Sequence, residues 1–188
     1  FERLKYNNPD LVVDLGVGLW AWPLPMDYDG DGDYDLLVSC KDVPYNGIYF
    51  FENTSGEDFP VFEPPVKIAA PIKNIQVSYI DKEPRFLIPG QELTDFKNAF
   101  INKPKDLFPD DTFDDLHKRI RFNQWKYVDY ENDGDLDIIV GIQDGEDYGW
   151  DNAFDKNGVW ENGPLHGYVY LIEGVNGSYK LRDKIMAG

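Results

Sequence analysis

The sequence predicts an all-β chain assembled from a repeated unit of about fifty residues, and three observations predict it. Two acidic runs, DYDGDGDYD at 27–35 and DYENDGDLD at 129–137, each lead straight into aliphatic residues, Leu36–Val38 and Ile138–Val140. Between them, IQVSYID at 75–81 repeats the approach to a terminal Asp found in AWPLPMD at 21–27 and QWKYVD at 124–129, so that Asp27, Asp81 and Asp129 mark three copies. Throughout, short runs of alternating apolar and polar residues are bounded by Gly, Asn and Pro, which is the pattern of strands and tight connectors.

The elements follow in order. Residues 1–18 contain an outer strand at Leu11–Leu15 that belongs to a preceding unit. The first unit, 19–70, carries strands at about Leu19–Met26, Leu36–Cys40, Ile48–Asn53 and Val61–Ile68. The second, 71–118, is degenerate: Lys82, Glu83 and Pro84 replace the acidic run, and Phe86, Leu87 and Ile88 supply the next strand. Its last part, Pro109–Ile120, reads as a short helix over Thr112–Arg119, with Thr112 as N-cap and basic residues in the last turn. The third unit, 119–188, repeats IYFFE (48–52) as VYLIE (169–173), and an outer strand finishes near Lys184. Four short antiparallel strands per unit make the blade of a β-propeller. Three blades do not close a ring, since closed propellers take about four to eight. The expectation is a partial β-propeller within a longer chain, with further blades or another chain at its open edges.

Five carboxylates at alternate positions repel one another unless a cation neutralises them. Calcium takes several oxygen ligands at flexible geometry, with a glycine at the sixth loop position for the sharp turn. The spacing therefore predicts two Ca2+ sites. The first uses Asp27, Asp29, Asp31, the carbonyl of Asp33, and Asp35; the second uses Asp129, Glu131, Asp133, the carbonyl of Asp135, and Asp137. Gly32 and Gly134 hold the turn, and Glu131 is the one departure in residue type. Neither is an EF-hand, because the twelfth position is Val38 or Val140 and a strand follows instead of a helix.

The chain has 188 residues and a formal charge of −17, from 18 basic and 35 acidic residues. Its 42% hydrophobic and 15% aromatic content is globular. Basic residues cluster only at Lys118, Arg119 and Arg121, which argues against nucleic acid as a partner. No run is apolar and long enough to cross a bilayer as a helix. Cys40 is the single cysteine and offers no disulfide. With Phe1 first, any signal peptide is expected to have been removed or to lie outside this sequence. Loops that stay loaded with calcium suit a millimolar-calcium compartment, extracellular or periplasmic.

In DYDGDGDYDLLV and DYENDGDLDIIV the chain resembles the calcium-loop propeller repeats called FG-GAP or VCBS repeats, known from integrin heads and secreted bacterial proteins. GWDNAFDKNGVWENGPLHGYVYLIEG at 149–174 is similar to a stretch of large secreted VCBS-repeat proteins. The resemblance implies the propeller fold. That family is predominantly of unestablished activity, with some relatives acting on polysaccharides.

The first and third units differ in one connector: Ile142 to Tyr170 is far longer than Cys40 to Tyr49, which places an insertion at 143–166. Alternate connectors of an antiparallel unit leave from opposite ends, so the insertion is expected on the face away from the acidic loops. It brings Tyr148, Trp150, Asp151, Trp160 and His166, and the starts of the first strands bring Trp20, Trp22 and Arg121 to that face. Rings beside carboxylates and amides suit sugars, and Arg121 suits the carboxylate of a uronic acid. The leading expectation is a secreted, calcium-stabilised module binding carbohydrate there, in a cleft of Trp150, Asp151 and His166 bordered by Trp20, Trp22 and Arg121. The alternatives are a polysaccharide lyase or hydrolase using His166 or Tyr148 with an Asp, and a protein-adhesion module.

Overall fold

The computed structural model describes residues 5–6, 16–56, 59–94, 96, 104–148, 153–161 and 167–186. It is built of three four-stranded antiparallel sheets in sequence order. The first comprises β2 (Ala21–Met26), β3 (Asp35–Cys40), β4 (Gly47–Phe51) and β6 (Val66–Ala69). The second comprises β7 (Gln76–Ile80), β8 (Glu83–Ile88), β9 (Gln91–Leu93) and β10 (Lys105–Asp106). The third comprises β11 (Ile120–Val128), β12 (Asp137–Asp144), β13 (Tyr168–Val175) and β14 (Ser178–Lys184). A further strand, β1 (Lys5–Tyr6), pairs in parallel with β5 (Val61–Phe62). One helical turn, α1 (Gly145–Tyr148), follows β12. The chain divides into two compact units, Phe1–Pro84 and Arg85–Gly188.

In the first unit β2 alternates strictly: Trp22, Leu24 and Met26 are buried, while Ala21, Pro23 and Pro25 face out. As an edge strand pairing only with β3 within its sheet, β2 tolerates two prolines that would break a ladder on both sides. The β3 strand is buried almost throughout and reads accordingly as a continuous apolar run. Val38, Cys40, Phe51 and Phe62 form the centre of this core, so Cys40 acts as a small apolar side chain.

The second unit centres on Trp125, which is fully buried and donates its Nε1–H to Asn123 Oδ1 at 2.6 Å. Phe113 meets its ring edge-on at a centroid distance of 6.3 Å. Glu92 is buried as the acceptor of both Arg85 and the Tyr127 hydroxyl, the latter at 3.2 Å, and the Arg85 guanidinium lies 5.0 Å from the centre of the Tyr127 ring. Burial, followed by the Glu92 charge, pushes the Tyr127 phenol far above its ordinary value.

Two expected elements differ from the sequence reading. The fourth strand of the first unit is not continuous over Val61–Ile68, because Pro64 and Pro65 offer no N–H to a ladder. Val61–Phe62 instead pairs with β1, and Val66–Ala69 pairs with β4. No helix forms over Thr112–Arg119. Residues 110–116 make successive turns, and the backbone N–H groups of Lys118 and Arg119 donate to the Asp144 carboxylate instead of to helical carbonyls. The strand expected at Leu11–Leu15 lies outside the described residues.

Candidate metal loops and the opposite rim

Asp27 folds the first acidic loop by accepting Gly30 N at 2.7 Å and Gly32 N at 3.2 Å, one on each carboxylate oxygen. Asp29 accepts Asp31 N, and Asp31 accepts Asp33 N, both at 3.1 Å. Asp35, buried at the start of β3, accepts Tyr28 N at 3.0 Å and Asn53 N at 2.9 Å, which ties the loop to the end of β4. The chain can close this tightly because Gly30 and Gly32 sit at φ 88° and 103°, where a Cβ is strained. As a result Asp27, Asp29 and Asp35 bring carboxylate oxygens within 4.8 Å of one another.

The second loop repeats part of this wiring, with the first of the two bonds to its leading Asp shifted by one residue. Asp129 accepts Asp133 N at 3.0 Å and Gly134 N at 3.2 Å, and Asp137 accepts Tyr130 N at 2.7 Å and Gly174 N at 2.8 Å. Asn132 occupies the position of Gly30 at φ 58°, a left-handed conformation that Asn tolerates. Asp135 accepts Asn176 N at 3.0 Å. Glu131 reaches Asp137: desolvation, then a hydrogen bond with that carboxyl and repulsion from its charge, push Glu131 above the ordinary carboxylate value. Asp33 is raised in the same sense, by burial and then by Asp31 and Asp29. Burial also raises Asp35, against the backbone N–H groups of Asn53, Tyr28 and Asp29 that hold it down. In the first loop, carboxylates held this close, with hard oxygen donors and a backbone already folded around them, fit a divalent cation such as calcium; among the described residues the second loop shares the fold of the first but not this convergence of three carboxylates.

In the second sheet the corresponding connection is a two-residue turn. Asp81 and Lys82 have φ 52° and 70°, the two positive values of a type I′ hairpin. Tyr34 of the first loop stacks on Tyr79 of β7 with ring centroids 5.8 Å apart, and the Tyr79 hydroxyl donates to the Pro25 carbonyl. Burial, with Tyr34 next in weight, pushes the Tyr79 phenol up to about 12.

The far ends of the same strands form a different environment. In the β2–β3 hairpin Met26 faces Asp35 beside the acidic loop, and Ala21 faces Cys40 at the other end. There Trp20, Lys41, Asp42 and Lys73 line a cavity of about 350 Å³. Trp20 is 38% exposed and sits at φ 62°, an outlier for a bulky residue that costs about 1–2 kcal/mol. The surrounding segments are fixed. The buried Ser39 hydroxyl donates to Ile72 O at 2.7 Å and accepts Ile72 N at 2.9 Å, docking the turn that carries Lys73 onto β3. Leu19 N donates to Val43 O at 3.2 Å, and Asp42 Oδ1 accepts Val43 N at 2.7 Å. A Cβ at Gly18 would run into the carbonyl oxygens of Asp42 and Tyr45, so this approach requires glycine.

In the second unit, β11 pairs Val128 with Asp137 at the loop end and Ile120 with Asp144 at the other, so the chain enters the insertion from the end opposite the acidic loop. Asp144 anchors this point. It accepts Lys118 N at 3.0 Å, Arg119 N at 3.3 Å and Glu146 N at 2.9 Å, and lies 3.5 Å from His117 Nδ1. His117 Nε2 is 3.0 Å from the Tyr170 hydroxyl. Burial alone would raise Asp144, but the three backbone donors and His117 hold it below the usual carboxylate value. The relay is buried and pins the entry to β11 and to the insertion. Asp42 occupies the equivalent place after β3, a repeat of Asp that alignment on the acidic loops makes visible.

The expected ligand residues are distributed unevenly. Trp20 opens onto the cavity, whereas Trp22 is 2% exposed and belongs to the core, as the alternation of β2 requires. Arg121 sits at an irregularity of β11 with its guanidinium 5.7 Å from the centre of the Phe122 ring. Trp160 packs edge-on to Phe154 at 5.3 Å, within a small hairpin that Asp155 closes by accepting Asn157 N and Val159 N at 2.8 Å each. Tyr148 ends α1. Trp150, Asp151 and His166 lie outside the described residues. Lys41, Lys73 and His117 carry no motif of their own, whereas Asp144 falls within the insertion at 143–166 and repeats Asp42 in register. A scan against protein-family models and searches of curated proteins and solved structures found no match to this chain.

Proposed function

We propose that this chain is a segment of a calcium-stabilised β-propeller of the FG-GAP or VCBS type, from a secreted protein, that binds carbohydrate on the face opposite its acidic loops. The observation that carries the reading is the separation of chemistries along one hairpin: carboxylates converge at the Asp35 end of β3, while an exposed indole and a small polar cavity occupy the Cys40 end. At the first end, Asp27, Asp29, Asp31 and Asp35 would hold one ion; in the other unit, Asp129, Glu131, Asp133 and Asp137 would hold a second. Calcium there supplies charge neutralisation and pins each hairpin. At the other end Trp20 offers a ring face to the C–H face of a sugar, with polar groups beside it for hydroxyls. Loops of this kind suit an extracellular or periplasmic setting, and further blades or another chain would cover the open sheet edges.

The test is a glycan array on the calcium-loaded chain and its Trp20→Ala variant. Retention of a set of glycans by the parent and their loss from the variant, with unchanged thermal unfolding, is expected. An array on which the parent retains nothing rejects carbohydrate as the ligand.

A further inference from the structure

Resting on that reading, we infer that the Trp20 cavity selects an anionic sugar, one carrying a carboxylate or a sulfate, and that Lys41 and Lys73 are the residues that choose it. Both lysines line the cavity with Trp20. Neither ammonium has an ion-pair partner among the described residues. Two cations on one small cavity stand out on a chain whose formal charge is −17, since the net charge disfavours an acidic glycan. A local excess of positive charge favours docking of such a ligand, and these lysines provide it against the single carboxylate of Asp42.

The other groups fit a sugar rather than a bare anion. Trp20 contributes an apolar ring, which an inorganic ion cannot use. Asp42 adds a carboxylate that accepts from hydroxyls and disfavours an anion placed on its own side. The volume of about 350 Å³ is at the small end for ligand cavities, roughly 300–1,000 Å³, so it suits a single sugar residue of a chain. The cavity is preformed by the Ser39 clamp on Ile72 and the Leu19 bond to Val43, so the ligand has little to reorganise.

Calorimetric titration of the calcium-loaded chain tests this with three probes of matched length: an oligogalacturonate, a sulfated galactose oligosaccharide and its unsulfated parent. An acidic probe should bind at least about tenfold more tightly than the neutral one, weaken as sodium chloride rises, and lose about tenfold on Lys41→Ala or Lys73→Ala. Lys73→Arg should restore most of the loss, and thermal unfolding of each variant reports that the fold is intact. Preference for the uronate or for the sulfate identifies the anion. Equal binding of neutral and acidic probes, unchanged in both lysine variants, overturns the inference and leaves the carbohydrate reading standing. Binding of none of the three in a chain whose glycan array is also blank overturns both.

Discussion

Asp144 shows how one carboxylate can hold a chain entry. Its two oxygens accept three backbone N–H groups, so an amide in its place keeps one acceptor and turns a donor toward others. Asp144→Asn is expected to cost about 2–3 kcal/mol in thermal or urea unfolding. Because the pKa of Asp144 is lowered from 3.8, its contribution is complete above that value and is lost as pH falls through the folded-state pKa. The gap in unfolding midpoint between parent and variant should therefore be constant near neutrality and close in acid. A different kind of residue effect operates at Gly32, where φ is 103°. Gly32→Ala should cost about 1–2 kcal/mol. Asn132→Gly, at a position already at φ 58°, should change stability by only a few tenths of a kcal/mol.

At the scale of elements, each acidic loop joins two strands and is tied to a third, through Asn53 in one case and Gly174 in the other. A cation bound only to the folded hairpin adds about 2.7 kcal/mol at a concentration one hundred times its dissociation constant. Excess chelator should lower the unfolding midpoint, and elemental analysis of the dialysed protein should find calcium. An unchanged midpoint with no metal found removes the calcium reading. Much at this scale was legible in sequence, since the alternation of β2 and the aliphatic run of β3 follow directly from which faces are buried. The misread elements failed where tertiary demand outweighed local signal. Thr112 resembled a helix cap, yet its hydroxyl donates to Pro109 O at 2.7 Å, and Asp144 captures the N–H groups a helix needed. Lys41 and Lys73 were illegible as a pair, because only the Ser39 clamp, which docks a segment thirty-three positions away, brings them to one cavity.

For the whole molecule, a formal charge of −17 and a pI near 4.3 make self-repulsion a general stress on the folded state. In chelator, moderate sodium chloride should raise the unfolding midpoint by screening that repulsion, and the same salt should do less in saturating calcium. A flat response in chelator would show that the acidic groups are already relieved by their own hydrogen bonds. The turn at Asp81–Lys82 adds a further consequence. That hairpin closes through backbone torsion alone, with no carboxylate cluster among its described residues. Withdrawing calcium would then loosen the chain unevenly. In amide exchange, residues 27–40 and 129–144 should lose protection together as the free ion falls, while 76–88 keep theirs, so that ambient calcium sets how rigid the flanking sheets are without touching the one between them in sequence.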